Sequence, residues 1–327
     1  KFHDTEEHHD RGDRHRQPRH SRRQRQQAEQ PVHARSPGGL VAGAARRVFD
    51  QDSLGSTQGL GQGGVGLVGT LHRGNAGVGV DRGQVDRGVG LLEVPGQLLA
   101  RLFHAFAQLA ADPEVRVIVL AGEGKHFSAG ADLQWMQRAS QASLEWNLQD
   151  ARRFAAMLAR IDTCPKPTVA RIQGAALGGG VGLACACDIA VASADASFAV
   201  SEAKFGILPS VIGPYLTNAV GKRQARRLAL TAERIAAAEA LGIGLVHKLV
   251  PAEALDAAVD EAVAALRIGG PLAQGEIKQL FAQMAVGPVT PEVMELTAQT
   301  ISRVRGSAEA REGFAAFLAK RPPPWCA

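Results

Sequence analysis

The sequence predicts an α/β fold with a largely parallel sheet over residues 96–327, and three observations support this. Short apolar runs without polar alternation recur at 115–122 (VRVIVLAG), 167–174 (PTVARIQG) and 188–193 (DIAVAS), the pattern of strands buried on both faces. These runs alternate with helical spacing, which is how parallel strands are connected. From Lys222 onward the pattern is almost wholly helical, so a helical region follows the sheet.

The elements follow in order. Residues 1–95 hold seven of the ten histidines but a single lysine and two aromatics, Phe2 and Phe49. With so little to set against the entropy of ordering, they are expected to add nothing to the folded core. They read as a disordered segment or as a wrong reading frame joined to a real one, and residues 80–90 (VDRGQVDRGVG) stutter without a strand partner. A helix is predicted over 97–112, where QLLARLFHAFAQLAAD carries apolar residues at helical spacing and stops at Asp112-Pro113. Strands follow at 115–122, 167–174 and 188–193, with a helix at 180–187 between the last two. Further helices are predicted at 223–230, 236–241, 252–266, 272–284, 291–304 and 308–320.

Composition excludes several function classes. The formal charge of +5 is concentrated in residues 11–27 (RGDRHRQPRHSRRQRQQ). No interleaved aromatics or reading fold accompany that arm, so nucleic acid is not the expected partner. Cys164, Cys185, Cys187 and Cys326 lack metal-site spacing, so no metal is expected and the thiols read as reduced. No signal-peptide pattern opens the chain, and the apolar stretch near 174–192 is broken by Asp188. A cytoplasmic protein without a membrane span is therefore the expectation.

The densest chemical signal is QGAALGGGVGLACACD, in which four glycines fall between Gly178 and Gly182. A strand, glycines and a helix also begin a dinucleotide site, but the third glycine of that fingerprint is missing: Leu183 or Cys185 stands there. No Gly-Lys-Ser/Thr follows, so a phosphate loop is excluded. What remains is a helix start whose free N–H groups, near Gly179 and Gly180, can hold an anion or a developing oxyanion. Glycines there let a carbonyl come within hydrogen-bond distance of the backbone. A second donor is expected from GEGKHFSAGADL (122–133), which ends in a tight turn before another helix.

GEGKHFSAGADL, GAALGGGVGLACACDIAVAS and FAVSEAKFGILPS, at these spacings, resemble the enoyl-CoA hydratase/isomerase (crotonase) family, as does the ending REGFAAFLAKRPPPW. The resemblance runs from Gly96 to Ala327. It implies a spiral of ββα units with a C-terminal helical trimerisation region, a homo-trimer or hexamer, and an acyl-CoA thioester as substrate. Coenzyme A is then part of the substrate and no separate cofactor is implied. Carried over by motif position, the N–H groups of Ala131 and Gly179 form the oxyanion hole. Lys125, Ala129 and Gly130 contact coenzyme A, and Phe317 and Lys320 reach the coenzyme A of a neighbouring subunit. The family's first strands and coenzyme-A-binding turn should precede Gly96, yet no segment of 1–95 matches them.

Hydration needs a base toward water and an acid toward the neighbouring carbon. Hydratases of the family commonly use two glutamates. The second matches Glu202, whereas the first falls on Gly182, which would leave room for acyl substituents. A lone Glu serves a hydratase or a double-bond isomerase, so both stay open, beside a non-catalytic crotonase-like binding protein. The details most resemble the bacterial methylglutaconyl-CoA hydratase branch of leucine breakdown, with the isohexenylglutaconyl-CoA relative next. His126 and Ser128 could suggest a thioesterase pair but lack an orienting acid. Tyr215 reads equally as acyl-pocket lining or core, and Asp132 reads as a helix N-cap.

Overall fold

The computed structural model describes residues 65–71, 95–284 and 286–326. Eight strands and ten helices run along these residues. They are β1 (Val65–Leu71), α1 (Pro95–Ala111), β2 (Val115–Gly122), α2 (Leu133–Gln141), α3 (Leu144–Asp162), β3 (Thr168–Ile172), β4 (Ala175–Leu177) and α4 (Gly179–Ala186). Next come β5 (Ile189–Ser193), β6 (Ser197–Ala199), α5 (Gly213–Thr231), β7 (Arg234–Ala236), α6 (Ala237–Gly242) and β8 (Lys248–Val250). The chain continues through α7 (Leu255–Ile268), α8 (Pro271–Ala282), α9 (Pro291–Arg305) and α10 (Ala308–Leu318).

The main sheet has the order β1-β2-β3-β5-β8, parallel throughout except for the antiparallel edge strand β1. Its two faces follow from the period of two along β2. Ile118 and Leu120 point into the core shared with Phe106 of α1, Leu158 and Ile161 of α3 and Val181 of α4. Val117 and Val119 point the other way, against Leu255, Val259 and Val263 of α7. Burial on both faces is why these strands read as unbroken apolar runs.

β1 corrects one expectation. Val65–Leu71 lies in the stretch expected to add nothing to the fold, yet it pairs with β2 from Val65↔Gly122 to Thr70↔Val117. VGLVGTL carries β-branched residues suited to a strand, a signal hidden by the glycines around it. The basic stretch 11–27, the stutter at 80–90 and Phe2 and Phe49 lie outside the described residues.

A second, three-stranded sheet, β4-β6-β7, stands beside the first. α5 begins ten residues before the expected 223–230 helix and is broken at Gly221 (φ 73°, ψ 155°) into two helical halves. At the far end, Arg116 of β2 donates to Gly269 O (2.8 Å) and Trp325 O (2.9 Å), fastening the C-terminal segment to the sheet. Cys164, Cys185 and Cys187 are free thiols in or against the core, and Cys326 is free and exposed. No helix among the described residues is long and apolar enough to cross a membrane.

Candidate active site

The glycine cluster is where two strand-end loops are zipped together. After β3 the chain turns at Gly174 (φ 59°) and runs through β4 to Gly178 (φ 53°), where α4 begins. The loop after β2 runs alongside it: Phe127 N–H donates to Gln173 O (2.8 Å), Ser128 N–H to Ala175 O (2.9 Å), and Leu177 N–H to Ser128 O (3.0 Å). Gln173 Nε2 donates back to Gly122 O at 2.7 Å. A Cβ on Gly180 would stand 2.5 Å from Ser128 Cβ, so the approach of α4 to this loop requires glycine there. Gly179 at the helix start and Ala131 in the loop turn are thus presented from two adjoining segments. Among the described residues neither N–H donates to a backbone carbonyl in the turns, loops and caps.

His126 belongs to this scaffold. Its Nδ1 accepts the Ala175 N–H at 3.1 Å, so that nitrogen stands where a ladder carbonyl would and is already engaged. Asp132 is the N-cap of α2, accepting Trp135 N–H at 2.8 Å. Lys125, Ala129 and Gly130 are exposed on the same loop, Gly130 with φ 108°.

Glu202 arrives through the small sheet. β6 pairs with β4 so that Leu177 lies opposite Ala199, and Gly178 N–H donates to Ala199 O at 2.8 Å. Three residues on, a short 3-10 turn holds Glu202, with Oε1 3.5 Å from where a Cβ of Gly178 would lie. Its Oε2 is buried with no hydrogen-bond partner. Burial pushes its carboxyl above the usual glutamate range, opposed by its own backbone N–H. A half-buried carboxylate with one unused oxygen, beside Gly178 at the start of α4, is a group that can move a proton.

Gly182, one turn into α4, carries no acid and leaves no room. A Cβ there would meet Ile212 Cγ2 at 2.3 Å, so Ile212 occupies the space expected for acyl substituents. Tyr215 packs against the core, and burial and the nearby Asp162 raise its phenol. Phe317 and Lys320 belong to another layer, at the end of α10, which packs on α8 and α9. A separate open groove of about 420 Å³ is lined by Lys222, Arg223, Arg226, Arg227 and Leu230. Its lining holds no carboxylate, so the chemistry is sought at the α4 edge.

Sequence reasoning missed two contacts here. Buried Asp150 of α3 accepts Trp135 Nε1 at 3.0 Å, tying α2, and with it the Ala131 turn, to α3. The signal was present, because Asp150 lies on the same stripe as Phe154, Met157, Leu158 and Ile161, and a carboxylate on an apolar stripe needs a donor. Ile212 over Gly182 had no such cue.

Comparison with known proteins agrees with this architecture. The family model for enoyl-CoA hydratase/isomerase matches residues 95–327. The crotonyl-CoA hydratase of Syntrophomonas wolfei is 34% identical over 229 residues, covering 68% of this chain and 85% of its own. The 2,3-dehydroadipyl-CoA hydratase of Escherichia coli is 33% identical over 228 residues, covering 69% and 87%. The crystal structure of an enoyl-CoA hydratase from Shewanella pealeana superposes with a TM-score of 0.68 at 38% identity, over 70% of this chain and 85% of that one. With its parallel sheet, glycine-led α4 and C-terminal helices, the chain belongs to the enoyl-CoA hydratase/isomerase family and has the crotonase fold.

Proposed function

We propose that the chain adds water across the 2,3 double bond of an enoyl-CoA thioester. The observation that carries this reading is Glu202, half-buried beside Gly178 with one oxygen unpartnered. The thioester oxygen accepts the N–H groups of Ala131 and Gly179. Glu202 takes a proton from water as the water oxygen bonds to C3, and the π electrons move to the thioester oxygen as an enolate. The enolate collapses as C2 takes the proton back from Glu202, leaving the 3-hydroxyacyl thioester and a regenerated carboxylate. The two N–H groups contribute most where water is excluded, about 3–4 kcal/mol of transition-state stabilisation for each donor.

In finer terms the substrate is 3-methylglutaconyl-CoA, of leucine breakdown. The detailed motif resemblance supports this, as does the named substrate class of the Escherichia coli relative, an enoyl thioester with a distal carboxylate. Lys125, Ala129 and Gly130 contact coenzyme A, and Phe317 and Lys320 serve the coenzyme A of a neighbouring copy in a trimer or hexamer. A double-bond isomerase is the second reading, favoured by the single carboxylate at α4, since one group suffices to shuttle a proton between carbons.

The test follows loss of the conjugated enoyl thioester absorbance and, separately, double-bond shift. Glu202→Gln is expected to keep acyl-CoA affinity and lose about 100- to 10,000-fold in turnover; normal hydration by this variant would overturn the assignment. Turnover should fall on the acid side as pH drops through a carboxyl pKa above the ordinary glutamate range. The stability effect has its own sign. A raised carboxyl pKa gives stability that is fully present below the unfolded value and lost as pH rises through the folded one. Near neutral pH, Glu202→Gln should therefore melt higher than the parent while being nearly inactive.

A further inference from the structure

Gly179 and Gly182 stand three residues apart on one face of α4, and that face is closed. A Cβ on Gly179 would lie 3.1 Å from Phe154 Cζ. On Gly182 it would lie 2.3 Å from Ile212 Cγ2, 2.9 Å from Ile212 Cβ and 3.6 Å from Leu158 Cδ1. Ile212 is 2% exposed and Leu158 is fully buried, so neither can swing into solvent. Ile212 is also β-branched and stiff at χ1. It is the residue immediately before α5, with helical backbone angles (φ −84°, ψ −16°), so shifting it means shifting the start of α5. α3 covers the same face through Phe154 and Leu158, one turn apart.

We infer that the contact of Ile212 with Gly182 determines the proton-transfer chemistry of the site by shutting any side chain at position 182 out of it. Position 182 cannot carry a carboxylate, or any side chain, while Ile212 is in place. The proton transfers then fall to Glu202, beside Gly178 at the start of α4, and this face of the helix is walled by the apolar side chains of Phe154, Leu158 and Ile212. This inference rests on the hydratase reading for its chemistry, but the closure itself is a packing statement. It makes Ile212 a specificity-determining residue: the site favours reactions that one carboxyl completes, and excludes those needing two at once.

The test is a double-mutant cycle on the full chain: parent, Gly182→Glu, Ile212→Gly, and both together. Glycine is used because even the Ile212 Cβ lies 2.9 Å from where a Cβ at position 182 would stand. Gly182→Glu alone should melt lower than the parent and hydrate crotonyl-CoA about 10-fold more slowly or worse. Ile212→Gly alone should also melt lower, because it opens a cavity. The double variant should melt above the sum of the two losses, since the clash is removed. It should also recover about 10-fold in hydration over Gly182→Glu and gain a second ionisation in its kcat–pH profile. Additive thermal shifts, or a Gly182→Glu protein that melts and hydrates like the parent, would overturn the inference. Melting is read without substrate, so a parent that hydrates no enoyl thioester refutes the hydratase reading, and the thermal coupling still decides the closure.

Discussion

α4 and the three helices α8–α10 treat surface in opposite ways. α4 buries Gly180, Val181, Gly182, Leu183, Ala184 and Ala186, and its glycines let backbone approach Ser128, Phe154 and Ile212. Among the described residues of α8, α9 and α10, only Gly275 and Ala316 are buried. Leu272, Ile277, Phe281, Met294, Phe314 and Phe317 stand exposed there, Phe317 by 81%. One region is built for close approach within the chain and fails with one added methyl group. The other carries apolar side chains exposed among the described residues, more than a scatter of single surface hydrophobics. The difference separates two patterns: the site has small residues at fixed points, and the terminal helices have apolar ones left exposed.

That contrast can be broken in three ways. The largest effect is expected from a pair of glycines. Gly180→Ala forces a Cβ to 2.5 Å from Ser128 Cβ, whereas a Cβ on Gly287, after α8, meets nothing within 4 Å. Gly180→Ala should lose about 1–3 kcal/mol of stability and much of the hydration rate, while Gly287→Ala should stay within about 0.5 kcal/mol of the parent. Equal denaturation midpoints for the two would dissolve the comparison. An effect of similar size on stability, but a smaller one on rate, is expected at the strut between α2 and α3. Trp135→Phe strips the buried Asp150 carboxylate of its indole donor, which should cost about 1–3 kcal/mol in urea melts and lower kcat through the Ala131 turn. If only stability changes and kcat holds, Asp150 and Trp135 do not position that turn. The smallest effect on the isolated chain is expected at Phe317→Asp, within about 0.5 kcal/mol because the residue is so exposed. The same change should weaken self-association in sedimentation velocity, and a parent that sediments as a compact single chain with full activity would remove the reason for the exposed face.

How far the sequence reached depended on whether a signal was local. Strand 115–122 matches β2 end to end, because a run buried on both faces leaves an unbroken apolar word, and helix 97–112 differs from α1 only by a shift at its ends. α3 was not predicted, although Phe154, Met157, Leu158 and Ile161 share one stripe, because a carboxylate, Asp150, falls on that stripe. β4, β6 and β7 have three residues each, too short for a period to show. The same division applies at the site. The loops that hold Ala131 and Gly179 were legible from glycines and a tight turn, and Glu202 from its motif. The closure of Gly182 was not, because it depends on where α5 docks, thirty residues along the chain, and no spacing rule links positions 182 and 212.

The Arg116 clasp bears on how this chain is made. The guanidinium sits on an early strand, and its carbonyl partners come from Gly269 and Trp325, 153 and 209 positions later. At about 5–20 residues per second of synthesis, roughly 10 to 40 s separate Arg116 from its second acceptor. For that interval the charged group must stay hydrated, because burial already lowers its pKa and leaves Nε without a partner even in the finished fold. That end of the sheet therefore stays open while the ribosome is at work and shuts when the carbonyl of Trp325 arrives. A chain cut short before it would keep the charge, lack the acceptor, and offer proteases an end that never closed.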